Sequence, residues 1–75
     1  MSELFERVVE VSGLSPLFAR NALQRACTRA GVQATALTRA DLRTAMPEIE
    51  RTIRTYLHEQ TAGVMIRIQD LSRGS

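Results

Sequence analysis

Apart from its hydroxyl side chains, the groups in this chain that can move a proton, attack a carbonyl carbon or hold a metal are one histidine, one cysteine and eight carboxylates. One Cys with one His cannot fill the four ligand positions of a structural zinc site, and a single Cys cannot close an internal disulfide. An active site would show a nucleophile with its base and orienting group, a ligand cluster, or a glycine-rich phosphate loop. None of these spacings occurs. His58 falls near the end of a predicted helix, where an imidazolium complements the negative pole of the helix dipole. Cys27 falls among small apolar residues and reads as a buried small hydrophobe rather than a reactive thiolate. Glu48 and Glu50, two apart on a helix, face different ways. The expectation is a protein that is not an enzyme, with no cofactor, no metal and no small-molecule substrate.

Charge carries more information. All ten basic residues are Arg and the net charge is +2. Residues 1–10 carry net −2, residues 11–40 carry +4 without one acid, and residues 41–75 balance. Arg25 and Arg29 stand four apart and Arg20 lies beside them, so one helix face would present a basic strip about three turns long. With Arg39 further on, these side chains are the candidates for meeting an acidic protein surface or phosphates. No aromatic residue is interleaved with them in sequence, so a stacking platform for single strands is not indicated.

The element that must position the strip is Ser15–Gly31. Ser15 stands where an N-cap is needed, Pro16 suits the first helical position, and Gly31 suits a left-handed residue after the last turn. Phe18, Ala19, Ala22, Leu23, Ala26, Cys27 and Ala30 recur at spacings of three and four, a face of mostly small residues that lets another helix approach closely. Before it, Ser2 can cap a helix over residues 3–12 that Gly13 ends. After it, Thr38 and Asp41 form a capping box, with Leu37 and Leu42 placed as a hydrophobic staple, so a helix starts at about residue 39. Pro47 interrupts that helix, which predicts two short helices, 39–46 and 47–58, meeting at a bend, or one kinked helix. Ile49, Ile53, Tyr56 and Leu57 form a buried stripe in the second. The last segment, 60–71, reads as a helix packing Val64, Met65, Ile68 and Leu71, although Gly63 and the β-branched run also suit an intersubunit strand. The fold class is therefore all-α: a single small domain over residues 1–75, a compact bundle of four to five short helices with a frayed tail at 72–75.

Residues Leu23 to Leu42, LQRACTRAGVQATALTRADL, resemble the helix-turn-helix of the lac-repressor-type regulators, with Ala30-Gly31-Val32 as the turn and Cys27 as the small residue at the helix crossing. The resemblance implies a recognition helix from about Gln33 lying in the major groove, with Gln33, Thr35, Thr38 and Arg39 as candidate DNA contacts. It assigns Leu37 and Thr38 to the interior of a helix, whereas the capping box places a helix start there. In outline only, a five-helix cluster is also similar to sterile-alpha-motif and death-like interaction domains.

A chain of 75 residues with three aromatic side chains and no Trp buries only roughly 60% of its unfolded surface and has a thin core. Without disulfide or metal, oligomerisation is the remaining common source of stability, so a homodimer is expected. Val64, Met65 and Ile66, with more apolar side chains than one helix face can bury, are the candidate dimer contacts. The acidic start, MSELFERVVEV, is unlike a signal peptide, and no apolar run approaches the roughly 20 residues that span a bilayer. The expected setting is cytoplasmic, without membrane contact. The function read from the sequence is a protein–protein interaction and dimerisation module, a regulatory adaptor using the Arg-rich helix face, with a small DNA-binding protein as the alternative.

Overall fold

The computed structural model describes residues 2–73. Four α-helices form: α1 Glu3–Val11, α2 Pro16–Arg29, α3 Arg39–Leu57 and α4 Thr61–Ser72. Short 3-10 turns at Ala34–Ala36 and His58–Gln60 link α2 to α3 and α3 to α4. No strand occurs among the described residues, so the segment around Gly63 is helix. Each helix packs on the next and α4 returns to α1, closing a ring of four.

Several of these elements are set locally. Ser2 Oγ accepts from Phe5 N–H at 3.1 Å and starts α1. It also donates to the carbonyl of Ala34 at 3.2 Å, which ties the start of the chain to the first 3-10 turn. Gly31, at φ 80°, lets the chain fold back after α2. Val32 N–H then reaches the Cys27 carbonyl and Gly31 N–H the Thr28 carbonyl, both at 3.0 Å, the two bonds of a Schellman ending. At α3, Asp41 N–H donates to Thr38 Oγ1 at 3.0 Å and Thr38 N–H to Asp41 Oδ2 at 3.2 Å, completing the reciprocal box. Leu37 and Leu42, the two staple residues, are both buried. Ser15 departs from expectation: it occupies the N-cap position of α2, but its side chain makes no capping bond there. Pro16 removes one of the free N–H groups such a cap would serve.

The two short helices expected on either side of Pro47 are instead one helix that continues through the proline, as in the one-helix alternative. Leu42, Ala45, Ile49 and Ile53 are all fully or almost fully buried and lie in one helical register across the proline. An interior proline costs about 3 kcal/mol, whereas burying each large aliphatic side chain contributes about 1.5–3 kcal/mol. A break at Met46 would carry Ile49 and Ile53 out of phase with Leu42. Pro47 itself is exposed, so the helix carbonyl it cannot serve is available to water.

The core combines Phe5, Val8 and Val9 of α1, the small face of α2 around Leu23 and Cys27, the α3 stripe, and Val64 and Ile68 of α4. Leu4, Val11, Met65 and Leu71 lie half-buried against it. Two residues placed on buried stripes by their spacing lie instead at the rim: Phe18 is 38% exposed and Tyr56 is 47% exposed. Ser12, fully buried, donates to the Val9 carbonyl at 2.6 Å and accepts from Leu14 N–H at 3.2 Å, joining α1 to the turn that leads into α2. Arg43 Nη1 donates to the Ser72 carbonyl at 2.7 Å, and Ser72 Oγ is bonded to the Gln69 carbonyl. Ser72 is thus the last residue of α4 rather than part of a frayed tail; residues 74 and 75 of that expected tail lie outside the described residues.

Candidate interaction surface

Arg20, Arg25 and Arg29 of α2 do not form one strip: Arg20 lies on the side toward α1, Arg25 and Arg29 on the side toward α3, and only Arg25 is uncommitted. Arg20 grips Glu6 of α1 with a forked contact, Nη2 at 2.6 Å from Oε1 and Nε at 3.0 and 3.1 Å from the two carboxylate oxygens. The Arg20 hydrogen bond holds the Glu6 carboxyl below its usual range. In turn, that bond raises Arg20 further above its already high value. Arg29 turns toward α3, donating to Glu48 Oε1 at 2.8 Å and to Thr52 Oγ1 at 3.0 Å. That bond holds Glu48 below the usual carboxylate range as well. Arg25 is exposed and has no carboxylate partner among the described residues. The expected strip is therefore two interhelical clamps flanking one free guanidinium.

What surrounds Arg25 was not legible from its own stretch. The start of α2 lies against the end of α3, with the rings of Phe18 and Tyr56 4.7 Å apart at 90°. The end of α2 meets the middle of α3 through Arg29 and Glu48, so the two helices run antiparallel. Phe18, Ala22, Arg25 and Arg29 follow one line along α2, facing Tyr56, Thr52 and Arg51 on α3. Between the lines is a notch of about 170 Å³ lined by Arg25, Arg29 and Arg51 on the charged side and by Ala22, Thr52, Thr55 and Tyr56 on the other. No aromatic residue is interleaved with these arginines in the sequence, but Tyr56 joins them in the notch from a helix more than twenty residues away. The signal available in the sequence was that Tyr56 and Leu57 compete for one inward position at the end of the α3 stripe. Leu57 takes the half-buried place and Tyr56 the rim.

No family model, curated protein or solved structure matches the chain.

The other sequence candidates are dispersed. Arg39 lies in a different depression, of about 430 Å³, with Glu3, Leu4, Arg7, Leu37 and Thr38. Gln33 and Thr35 are exposed on the loop after α2, beside Gln24 and Thr28. The segment from Gln33 to Leu37 holds one 3-10 turn, and Thr38 is spent as the cap of α3. The continuous recognition helix implied by the helix-turn-helix resemblance is thus not formed. Its physical reason is the reciprocal cap, which fixes Thr38 in extended geometry. Val64 is 2% exposed and Met65 half-buried against the core, which leaves Ile66, 61% exposed, as the member of that trio on the surface. Cys27 is buried, and loss of hydration, with the nearby Asp41 charge as a smaller cause, pushes its thiol up. His58 is exposed at the end of α3. Glu50 pairs with Arg54 on the outer face of α3 and takes no part in the notch. Among the described residues no group of three His, Cys, Asp or Glu is placed to hold a metal ion, and no helix is long and apolar enough to cross a membrane.

Proposed function

We propose that this chain is a small non-enzymatic protein-interaction module of the regulatory-adaptor type, working in a cytoplasmic setting, and that it docks an acidic partner segment along the seam between α2 and α3. The observation that supports this reading is Arg25: exposed, without a carboxylate partner among the described residues, and lining a notch shared with Arg51 and Tyr56. Tyrosine and arginine are among the side-chain types that dominate binding energy at protein interfaces. From Phe18 to Arg25 is seven helical positions, about 10 Å along the axis. A fitting partner helix therefore presents an apolar residue over Phe18 and Tyr56 and a carboxylate about two turns away over Arg25 and Arg51. A homodimer belongs to the same reading, supported by the small core and the exposed Ile66.

The test is a titration of the labelled protein, followed by amide chemical shifts, with three probes: an acidic amphipathic helical peptide, its lysine counterpart, and random-sequence duplex DNA. The reading expects shifts at Phe18, Ala22, Arg25 and Tyr56 with the acidic peptide alone, abolished by Arg25→Glu. Binding to duplex that falls steeply with salt, with no response to the acidic peptide, would replace it with the nucleic-acid reading.

A further inference from the structure

His58 is where the chain turns from α3 into α4, and it is the only non-glycine residue among those described with a positive φ. Its backbone sits at φ 51°, ψ −97°, away even from the small left-handed region that L-residues tolerate. The imidazole is exposed, so no packing around the side chain holds it there. Around it Leu57 at φ −109°, ψ −20°, Gln60 at φ −82°, ψ −4° and Thr61 at φ −55°, ψ −47° lie in the right-handed helical region, and Glu59 lies inside the 3-10 turn. The 3-10 turn itself buries nothing. Relaxing essentially one residue into helical geometry would therefore run α3 into α4 as a single helix of about 34 residues, about 50 Å long.

Two further features mark the closed hinge as poorly satisfied. α4 begins without a side-chain cap on its free N–H groups. Its first residue, Thr61, is 3% exposed and its hydroxyl has no hydrogen-bond partner. A continuous helix supplies carbonyl acceptors from the end of α3 to the uncapped start of α4. The rest of α4 cannot be left undocked, because Val64 and Ile68 belong to the core and α4 packs on both α1 and α3. A second copy of this chain offers the same cradle.

We infer that the strained turn at His58 is a hinge through which two copies of this chain exchange α4, each α4 docking on α1 and α3 of the other copy, with α3 and α4 straightened into one helix. The proposal rests on the dimer expected in the preceding section and gives it a geometry. The docking of α4 on α1 and α3 is kept on exchange, its contacts with the turn are given up, the strain is released twice, and the reciprocal arrangement closes with two-fold symmetry. The seam between α2 and α3 is not part of it.

The experiment refolds the full chain from denaturant at high concentration, to pass the barrier to exchange, and measures mass by light scattering over a dilution series. His58→Gly, which accepts a positive φ without strain, should weaken the dimer by about 10-fold or more. His58→Ala, a stronger helix former with no advantage at positive φ, should tighten it by a similar factor. In a dimer mixed from ¹³C-labelled and unlabelled chains, methyl contacts between α4 and α1 should be intermolecular. A dimer whose α4–α1 contacts stay within one chain would overturn the exchange while leaving dimerisation standing. A chain that stays monomeric at millimolar concentration, with His58→Gly and His58→Ala behaving alike, would overturn both. If His58→Ala fails to fold, the comparison of wild type with His58→Gly still decides the sign.

Discussion

Arg29 reaches across from α2 to place Nε 2.8 Å from Glu48 Oε1 and Nη2 3.0 Å from the buried hydroxyl of Thr52. Thr52 Oγ1 in turn donates to the Glu48 carbonyl at 3.0 Å, so one guanidinium serves both a side chain and the helix turn behind it. On the other flank Arg20 ties α2 to α1 through the Glu6 carboxylate alone. A face that looks in sequence like a reservoir of free positive charge is largely structural, and this narrows the interaction surface to the neighbourhood of Arg25.

The two clamps make stability depend on pH. Both Glu6 and Glu48 have their carboxyls held below the usual range by their arginine hydrogen bonds. Between the folded and unfolded values the unfolded chain binds more protons, so this contribution is present above the ordinary carboxylate pKa and is lost as pH falls through the depressed one. Thermal unfolding followed from about pH 6 down to about pH 3 should show a falling Tm, and the double variant Glu6→Gln/Glu48→Gln should flatten that slope. An unchanged slope would mean the clamps contribute nothing in solution, as many exposed ion pairs do.

Pro47 lies in the exposed face of a helix that continues through it. Pro47→Ala restores the missing N–H without disturbing the core, so it should stabilise the protein by about 1–3 kcal/mol. For a domain of this size that is a Tm rise of at least about 4 °C. A lower Tm would show that the proline is needed to set the course of α3.

The buried hydroxyl of Thr61 has no partner. Thr61→Val keeps the shape and removes the unsatisfied oxygen, and should be neutral or stabilising by about 1 kcal/mol in denaturant titration. A loss of more than that would place an ordered water or an alternative rotamer at the site.

Cys27 sits in the core beneath the small face of α2 with its thiol pushed up by loss of hydration. A disulfide reagent at neutral pH should modify it on the order of 100-fold more slowly than it modifies the unfolded chain, with the rate tracking unfolding. Reaction at the rate of a free thiol would mean that α2 opens readily from the bundle.

Much of the secondary structure was determined by signals that act within a turn or two: the Ser2 cap, the Schellman ending at Gly31, the reciprocal Thr38–Asp41 box, and the apolar spacing of α4. These are contacts between residues three to five apart, so the sequence alone contains both partners. Three features needed the tertiary structure. The passage of α3 through Pro47 was decided by burial of Ile49 and Ile53 in register with Leu42, a sum over contacts with other helices that outweighs a local cost. The arginines of α2 were sorted into clamps and a free group by where Glu6 and Glu48 arrive from α1 and α3. Tyr56 was turned to the rim beside Phe18 and Arg25 because Leu57 occupies the inward place. Each depends on how two helices lie against one another, a relation between residues far apart in the chain that spacing along a single helix does not encode.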